Sequence, residues 1–457
     1  MDACTANAGC ANTAKAFGSS CASAAVGQNY AFCAGPVCTG VEMVTYQTTN
    51  NASRGVLTGI DRVPAGNIYP AGSDNGLQGA VAFPFEGIMA NLTESPLGLQ
   101  SNANTGKRAA MTDVRLNLSV GANMNVANGT LTTPTFMVFN AVSGLWANGG
   151  PTTAMNHPLR AVDEVVGANG NQIYYFGGDA ETSANQIPTF GRATLNPATG
   201  AWGNTGYLQV TTSAQNCNNT FAALNIADVF SPANNAVFAV GSTVANAQGI
   251  SSSMVAYWNG QTQLNCGNVN TTGTAVANTN DFAQSLVVQV NANANPPTGA
   301  FQAIHGSSNA HVVVAGTLGT IYSFDNNKWT LENPGTIAGN AWGSDYNVHG
   351  VYVTATDAWL AGTRDFNNAA NTTCREGFVL HGSFAAGKWT WNTLVLLGND
   401  AISCGTNLAY TGVLRAWIDG NTGSVYFVGS QGADAANKAV TSNPVNQIPL
   451  VLRIKTK

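Results

Sequence analysis

One short pattern, met twice almost without interruption between residues 301 and 362, constrains this chain more than any other feature. The first copy reads FQAIHGSSNAHVVVAGTLGTIYSFDNNKW from Phe301 to Trp329. The second starts at Asn340 as NAWGSDYNVHGVYVTATDAWLAG and reaches Gly362. Each has an apolar run, a small-residue turn and a second apolar run ending in Gly, and the first adds a strand that closes on Trp. Runs of four to seven alternating apolar and small polar residues, broken by Gly and Asn, are the periodicity of β-strands. No sustained helical period and no i,i+4 charge lacing accompany them.

The second run of this unit returns along the chain. It is found as NIYPAG (67–72), NQIYYFGG (171–178), AVFAVG (236–241), HVVVAG (311–316), DAWLAG (357–362) and SVYFVG (424–429), and in a weaker form as NMNVANG (123–129). A third run follows each of these, and five of the third runs contain a hairpin turn such as Asn326-Asn327 or Ala386-Gly387. In four of them a Trp follows the turn: Trp146, Trp202, Trp329 and Trp389. Seven units of roughly 45–75 residues, each with about four short strands, predict a seven-bladed β-propeller over residues 41–457. A single four-stranded sheet leaves one face uncovered, whereas blades packed in a ring bury both. The last unit stops after its third strand, so VEMVTYQ (41–47) is predicted to supply the missing strand and close the ring, which removes an exposed edge.

The motifs at Trp342-Gly343-Ser344, Asp357-Ala358-Trp359 and Gly319-Thr320-Ile321 resemble bacterial secreted propeller repeats of the form WGS…DVWAVG…GTILHWDG..W. The third unit, IYYFGG…GRATLNPATGAW, is similar to a Kelch repeat. The resemblance implies the fold alone; the nine cysteines and the scarcity of charge predict an exported bacterial chain, extracellular or at the cell surface. His305 stands where the repeat often has Trp, and His381 where it commonly has a structural His.

Composition narrows the function classes. Only 9% of the residues are charged, the net charge is −5 and Lys plus Arg number 17, so no basic face for nucleic acid or anionic membrane is legible. No apolar run reaches the length of a membrane span. Residues 1–40 hold five of the nine cysteines, Cys4, Cys10, Cys21, Cys33 and Cys38, without periodicity, and are predicted to form a small segment stapled by disulfides. Of the other four, Cys374 and Cys404 fall on one face of the unit scheme and are predicted to pair, as are Cys217 and Cys266; an odd total leaves one thiol over.

Propellers of this kind bind ligands mainly on the face that carries the loops between second and third strands and between blades. Asp179, Glu181, Asp345, Arg364 and Asp365 fall in or beside those loops and form the candidate ligand-binding set. The strand nearest the axis lines a central channel, and counting back from each second-strand Gly puts Asp61, Asp163 and His305 at equivalent heights, with Asp228 nearby. That set is the candidate site for a divalent metal ion, and no other cofactor is expected. No nucleophile elbow, zinc helix or phosphate loop is present, and no catalytic residue is assigned. The sequence reading is therefore a secreted or surface binding propeller that recognises a carbohydrate, an envelope component or a protein partner. Its competitors are a metal-binding surface protein and a secreted polysaccharide-acting enzyme with Asp179, Glu181 and Asp365 clustered in a pocket.

Overall fold

In a computed structural model of the protein, the described residues are 29–34, 37–45, 55–63, 68–74, 80–82, 107–125, 131–151 apart from 141 and 144, 157–179, 189–207, 224–243, 250–258, 286–291, 299–337, 340–396, 403–405, 412–420, 423–431 and 448–454. Among them there are strands and turns and no helix. All strand pairs are antiparallel. They form consecutive sheets around a central channel, numbered here by the position of the innermost strand.

Sheet 1 comprises Gly55–Arg62, Ile68–Asp74 and Ala80–Ala82. Sheets 2 to 5 have four strands each and start from Lys107–Arg115, Leu159–Val166, Leu224–Ala233 and Phe301–Ser308. Sheet 6 runs from Tyr346–Val353 through Asp357–Asn367 and Thr373–Ala385 to Lys388–Leu396, with the two-residue strand Ser403–Cys404 added. Sheet 7 has the order Gly412–Ile418, Val425–Gln431, Ile448–Ile454, Val37–Thr45 and Asn29–Ala34. The sequence predicts seven blades; among the described residues six of these sheets carry the four or more strands of a full blade, and sheet 1 carries three. Residues 83–106, where a fourth strand of sheet 1 would fall, lie outside the described residues.

Ring closure follows the sequence argument with a longer closing strand. Val41 pairs with Ile454 and Thr45 with Leu450, which joins the two ends of the chain in one sheet. The closing strand begins at Val37 rather than residue 41, and a further strand, Asn29–Ala34, pairs outside it and sets Cys33 opposite Cys38. The boundary expected at residue 40 therefore falls inside a strand. Residues 1–28, with Cys4, Cys10 and Cys21, lie outside the described residues.

The core sits in the seams between sheets. Apolar clusters fill each seam in turn, from Tyr69 against Phe139 and Trp146 between sheets 1 and 2 to Leu57 and Ile60 against Trp417 and Val451 between sheets 7 and 1. Three of the Trp residues that follow hairpin turns, Trp146, Trp329 and Trp389, are buried in these seams. The turns that aim them use the predicted chemistry: Asn326 and Asn327 both take positive φ (52° and 60°), and so do Ala386 and Gly387 (51° and 76°). Such paired left-handed residues match the twist of a two-residue hairpin.

The terminal Gly of each second strand has a structural cause. Every innermost strand carries a β-bulge one residue after its pairing with that glycine, at Thr58, Thr112, Arg160, Ala227, Gln302, His349 and Leu414. The extra residue pushes the preceding backbone toward the second strand. A Cβ on Gly316 would stand 1.8 Å from the Ala300 carbonyl oxygen, and one on Gly241 would stand 1.9 Å from that of Asn225. Only glycine tolerates that approach. In sheet 2 the residue in this role is Gly121, paired with Met111, on the second strand Leu118–Asn125. The sequence reading placed it at Gly129, eight residues too late, because the Asn/Gly-rich run after Asn123 imitates the motif.

Candidate ligand-binding site at the channel mouth

The bulge residues do more than bend strands. All seven line a cavity of about 410 Å³ at the mouth of the central channel, together with Asp179, Asn225, Ser242 and Arg415. It opens on the face of the blade-to-blade and second-to-third-strand loops. Bulges re-aim side chains that a regular strand would direct into a seam.

Around the mouth, most polar groups are already engaged. Thr58 donates to the Met111 carbonyl of sheet 2 at 3.1 Å, and Thr112 donates to the Leu159 carbonyl of sheet 3 at 2.9 Å. Arg160 grips Asp179 with two hydrogen bonds, 2.7 and 3.0 Å long, in a half-exposed pair. His349 contacts the Gln302 amide oxygen through Nδ1 and Thr363 Oγ1 through Nε2 at 3.1 Å. Burial, reinforced by the positive charge of Arg375 and opposed by Asp365, lowers the His349 pKa to about 4, so the imidazole is neutral at pH 7.

Arg415 forms the floor. Its guanidinium donates to Asp228 Oδ1 at 2.9 Å and Asp113 Oδ2 at 3.1 Å, bridging from sheet 7 to sheets 4 and 2 across the channel. Each carboxylate also accepts a backbone N–H from the next sheet: Asp113 from Val162 and Asp228 from Ile304. One turn of the register deeper, a second layer repeats the scheme in the alternate sheets. Asp61 accepts from Leu116 N–H, Asp163 from Ser231 N–H and His305 Nδ1 from Val353 N–H. Arg115 donates to Asp163 at 3.0 Å. The innermost strands have no partner on their channel side, so their N–H groups need acceptors, and these residues supply them. Alternation between layers leaves each acceptor room to reach its neighbour.

Burial raises the pKa values of Asp61, Asp163 and Asp228, with the adjacent arginines opposing that rise. His305 is held neutral, its pKa well below the usual range, first by burial and then by the charges of Arg115 and Arg415. Its ring stacks on Tyr352 at 4.2 Å and lies 4.8 Å from Phe230.

The candidates read from sequence divide into three groups. Asp61, Asp163 and His305 do occupy one level of the channel, at matching register positions. There each binds the next sheet's backbone, Arg115 stands among them, and no group of three or more metal-ligating side chains is found among the described residues. Asp179 lines the mouth. Asp345, Arg364 and Asp365 gather at the same end of sheet 6, where Arg364 bridges Asp345 and Glu376 at 3.0 Å each and Arg375 grips Asp365 at 2.6 and 2.8 Å. Arg364 also lies 4.8 Å from the Phe366 ring centroid. Cys374 and Cys404 are disulfide-bonded, tying the long hairpin to Ser403–Cys404. Glu181, Cys217 and Cys266 lie outside the described residues. Asp113, Arg115, Arg160 and Arg415 escaped the sequence reading: the first two follow from the misplaced Gly129, and nothing local distinguishes the other two.

Against known proteins, no family model and no curated protein matches this chain. Solved structures align at low identity. YCF48 bound to a D1 peptide aligns at 11% identity over 91% of this chain and 96% of that one, with a TM-score of 0.46. The U3-55K structure aligns at 9% identity over 91% and 98%, with a TM-score of 0.42. The endosialidase of phage phi92 aligns at 10% identity over 91% and 69%, with a TM-score of 0.47.

Proposed function

We propose that this chain is a seven-bladed binding propeller, with sheet 1 as the seventh blade, that recognises a carbohydrate, an envelope component or a protein partner at its channel mouth. Sheet 1 supports the count by packing in the ring between sheets 7 and 2 and by carrying the same bulge and glycine as the others. The observation that carries the binding role is the cavity of about 410 Å³, ringed by one bulge residue from each sheet. Its volume lies within the range of small-ligand pockets, about 300–1,000 Å³. Hydroxyl and amide groups dominate its polar lining, and its charges are paired, a surface suited to hydrogen-bonded recognition rather than to bond cleavage. Of the three carboxylates in the polysaccharide-enzyme reading, Asp179 and Asp365 are each clamped by an arginine, and Glu181 lies outside the described residues.

A secreted or cell-surface setting in a bacterium belongs to the same proposal. The Cys374–Cys404 bridge supports it, since disulfides persist in oxidising compartments.

The test is a plug. Thr112→Trp and Gln302→Trp, each checked by circular dichroism and melting, should abolish binding detected on glycan arrays or in pull-downs from cell-surface extracts. Unchanged binding in both folded variants would place recognition elsewhere.

A further inference from the structure

On the opposite face, a second cavity of about 310 Å³ opens at the seam between sheets 3 and 4. Its wall includes Asn169 and Asn171 from the turn after Leu159–Val166, Arg192 and Thr194 from the strand Thr189–Asn196, and Asn234 from the next sheet. Arg192 and Thr194 are two residues apart on a strand, so both side chains stand on one face of it.

Two facts mark this cleft. Arg192 Nε and Thr194 Oγ1 are buried without a hydrogen-bond partner, and Thr194 keeps 9% of its surface exposed. Arg62, Arg115, Arg160, Arg364, Arg375 and Arg415 each hold a carboxylate, whereas Arg192 holds none among the described residues. A buried donor with no acceptor is rare in a folded protein and calls for an explanation. The guanidinium is nonetheless held in place: its carbon lies 5.8 Å from the Tyr175 ring centroid, and the Tyr175 hydroxyl accepts the Asn235 N–H at 3.2 Å. One aromatic ring thus fixes the cation and the turn that carries Asn234.

We propose that this cleft binds a uronic acid unit, with the sugar carboxylate on Arg192 and Thr194 and the ring hydroxyls on Asn169, Asn171 and Asn234. One cation without a carboxylate partner among the described residues matches one carboxylate, and a charge-assisted bond to arginine is the strong form of that contact. Neutral amides beside it suit hydroxyls, which both donate and accept. A peptide added as a strand is disfavoured, because Thr189–Asn196 is already paired on both sides, with Gln172–Gly178 and Ala201–Tyr207. The site is separate from the channel mouth and does not depend on the function proposed there.

The test is titration of the full chain with sodium glucuronate and galacturonate, followed by calorimetry or amide chemical shifts, with glucose and acetate as partial probes. At least one uronate should bind saturably, and glucose and acetate should each bind about tenfold more weakly or worse, since each lacks one half of the contact. Arg192→Gln should weaken uronate binding about tenfold, Arg192→Lys should recover part of it, and Thr194→Val should weaken it by a smaller factor. Melting curves establish that each variant folds, and Thr194→Val provides a second reading if Arg192→Gln does not. Failure of both uronates to bind, acetate binding equal to uronate binding, or folded variants with unaltered affinity would each overturn the assignment. Channel-mouth binding should be the same in Arg192→Gln and wild type.

Discussion

The central channel and the cleft at Arg192 are built from the same residue types and put to opposite uses. In the channel, Arg415 meets two carboxylates, each of which also accepts a backbone N–H from the neighbouring sheet. In the cleft, Arg192 meets an aromatic ring and no carboxylate among the described residues, and the hydroxyl beside it has no partner. A polar group whose bonds are satisfied within the fold contributes to holding sheets in register. One held in place with its bonds unmade keeps that capacity for a ligand. The difference is set by what the adjacent sheet offers, since arginine itself is indifferent to the source of its acceptors.

The contrast can be broken most sharply at Arg415. Arg415→Met leaves Asp113 and Asp228 buried without their cation, and a loss of about 3–5 kcal/mol is expected in denaturant unfolding. Arg192→Met should cost about 2 kcal/mol or less, the worth of a partly desolvated cation–π contact. Similar losses for the two would show that the channel pairs are not what distinguishes the regions. The bulges come next. Gly316→Ala forces a methyl against the Ala300 carbonyl, and a loss of about 3 kcal/mol is expected, measured the same way.

Glu164 sharpens the picture through pH. It sits beside the lower channel layer, and burial, together with Asp163 and Asp61, raises its pKa from 4.5 to about 8 against the pull of Arg115. The folded state therefore holds this proton more tightly than the unfolded chain does. Its contribution to stability is fully present below pH 4.5 and is lost as pH rises through 8. Glu164→Gln should match wild type at pH 4 and exceed it by about 2 kcal/mol at pH 8 in thermal melts. A parallel pH profile for the two proteins would contradict the buried, protonated carboxyl. The smallest effect compares two threonines. Thr112→Val removes the hydrogen bond from sheet 2 to the Leu159 carbonyl of sheet 3 and should cost about 1 kcal/mol, while Thr194→Val removes an unpartnered hydroxyl and should be neutral or slightly stabilising.

Much of the architecture is legible in the local pattern. The apolar runs that end in glycine record the bulge beside them, the Asn-Asn and Ala-Gly turns record their left-handed backbone, and the spare run near the N-terminus records the open last sheet. Counting from those glycines also brought Cys374 to Cys404 and set Asp61, Asp163 and His305 at one height. The count went astray at sheet 2, where Gly129 stood in for Gly121, and with it Asp113 and Arg115 were lost from view. The candidate ligand set was legible only as an address. Asp179 reaches the mouth, but Asp345, Arg364 and Asp365 are tied to one another and to Glu376 and Arg375, pairings that depend on neighbours across strands.

What this sequence determined by itself is the repeating strand unit and the way its ends meet, because alternation, turns and glycine approach are governed by residues a few positions apart. Tertiary structure alone decided which polar groups are satisfied. Arg415 finds its partners 187 and 302 residues away, at Asp228 and Asp113, while Arg192 finds none among the described residues. Electrostatic and hydrogen-bond partners are chosen by distance in space, and in a closed ring residues far apart in sequence become neighbours across the axis.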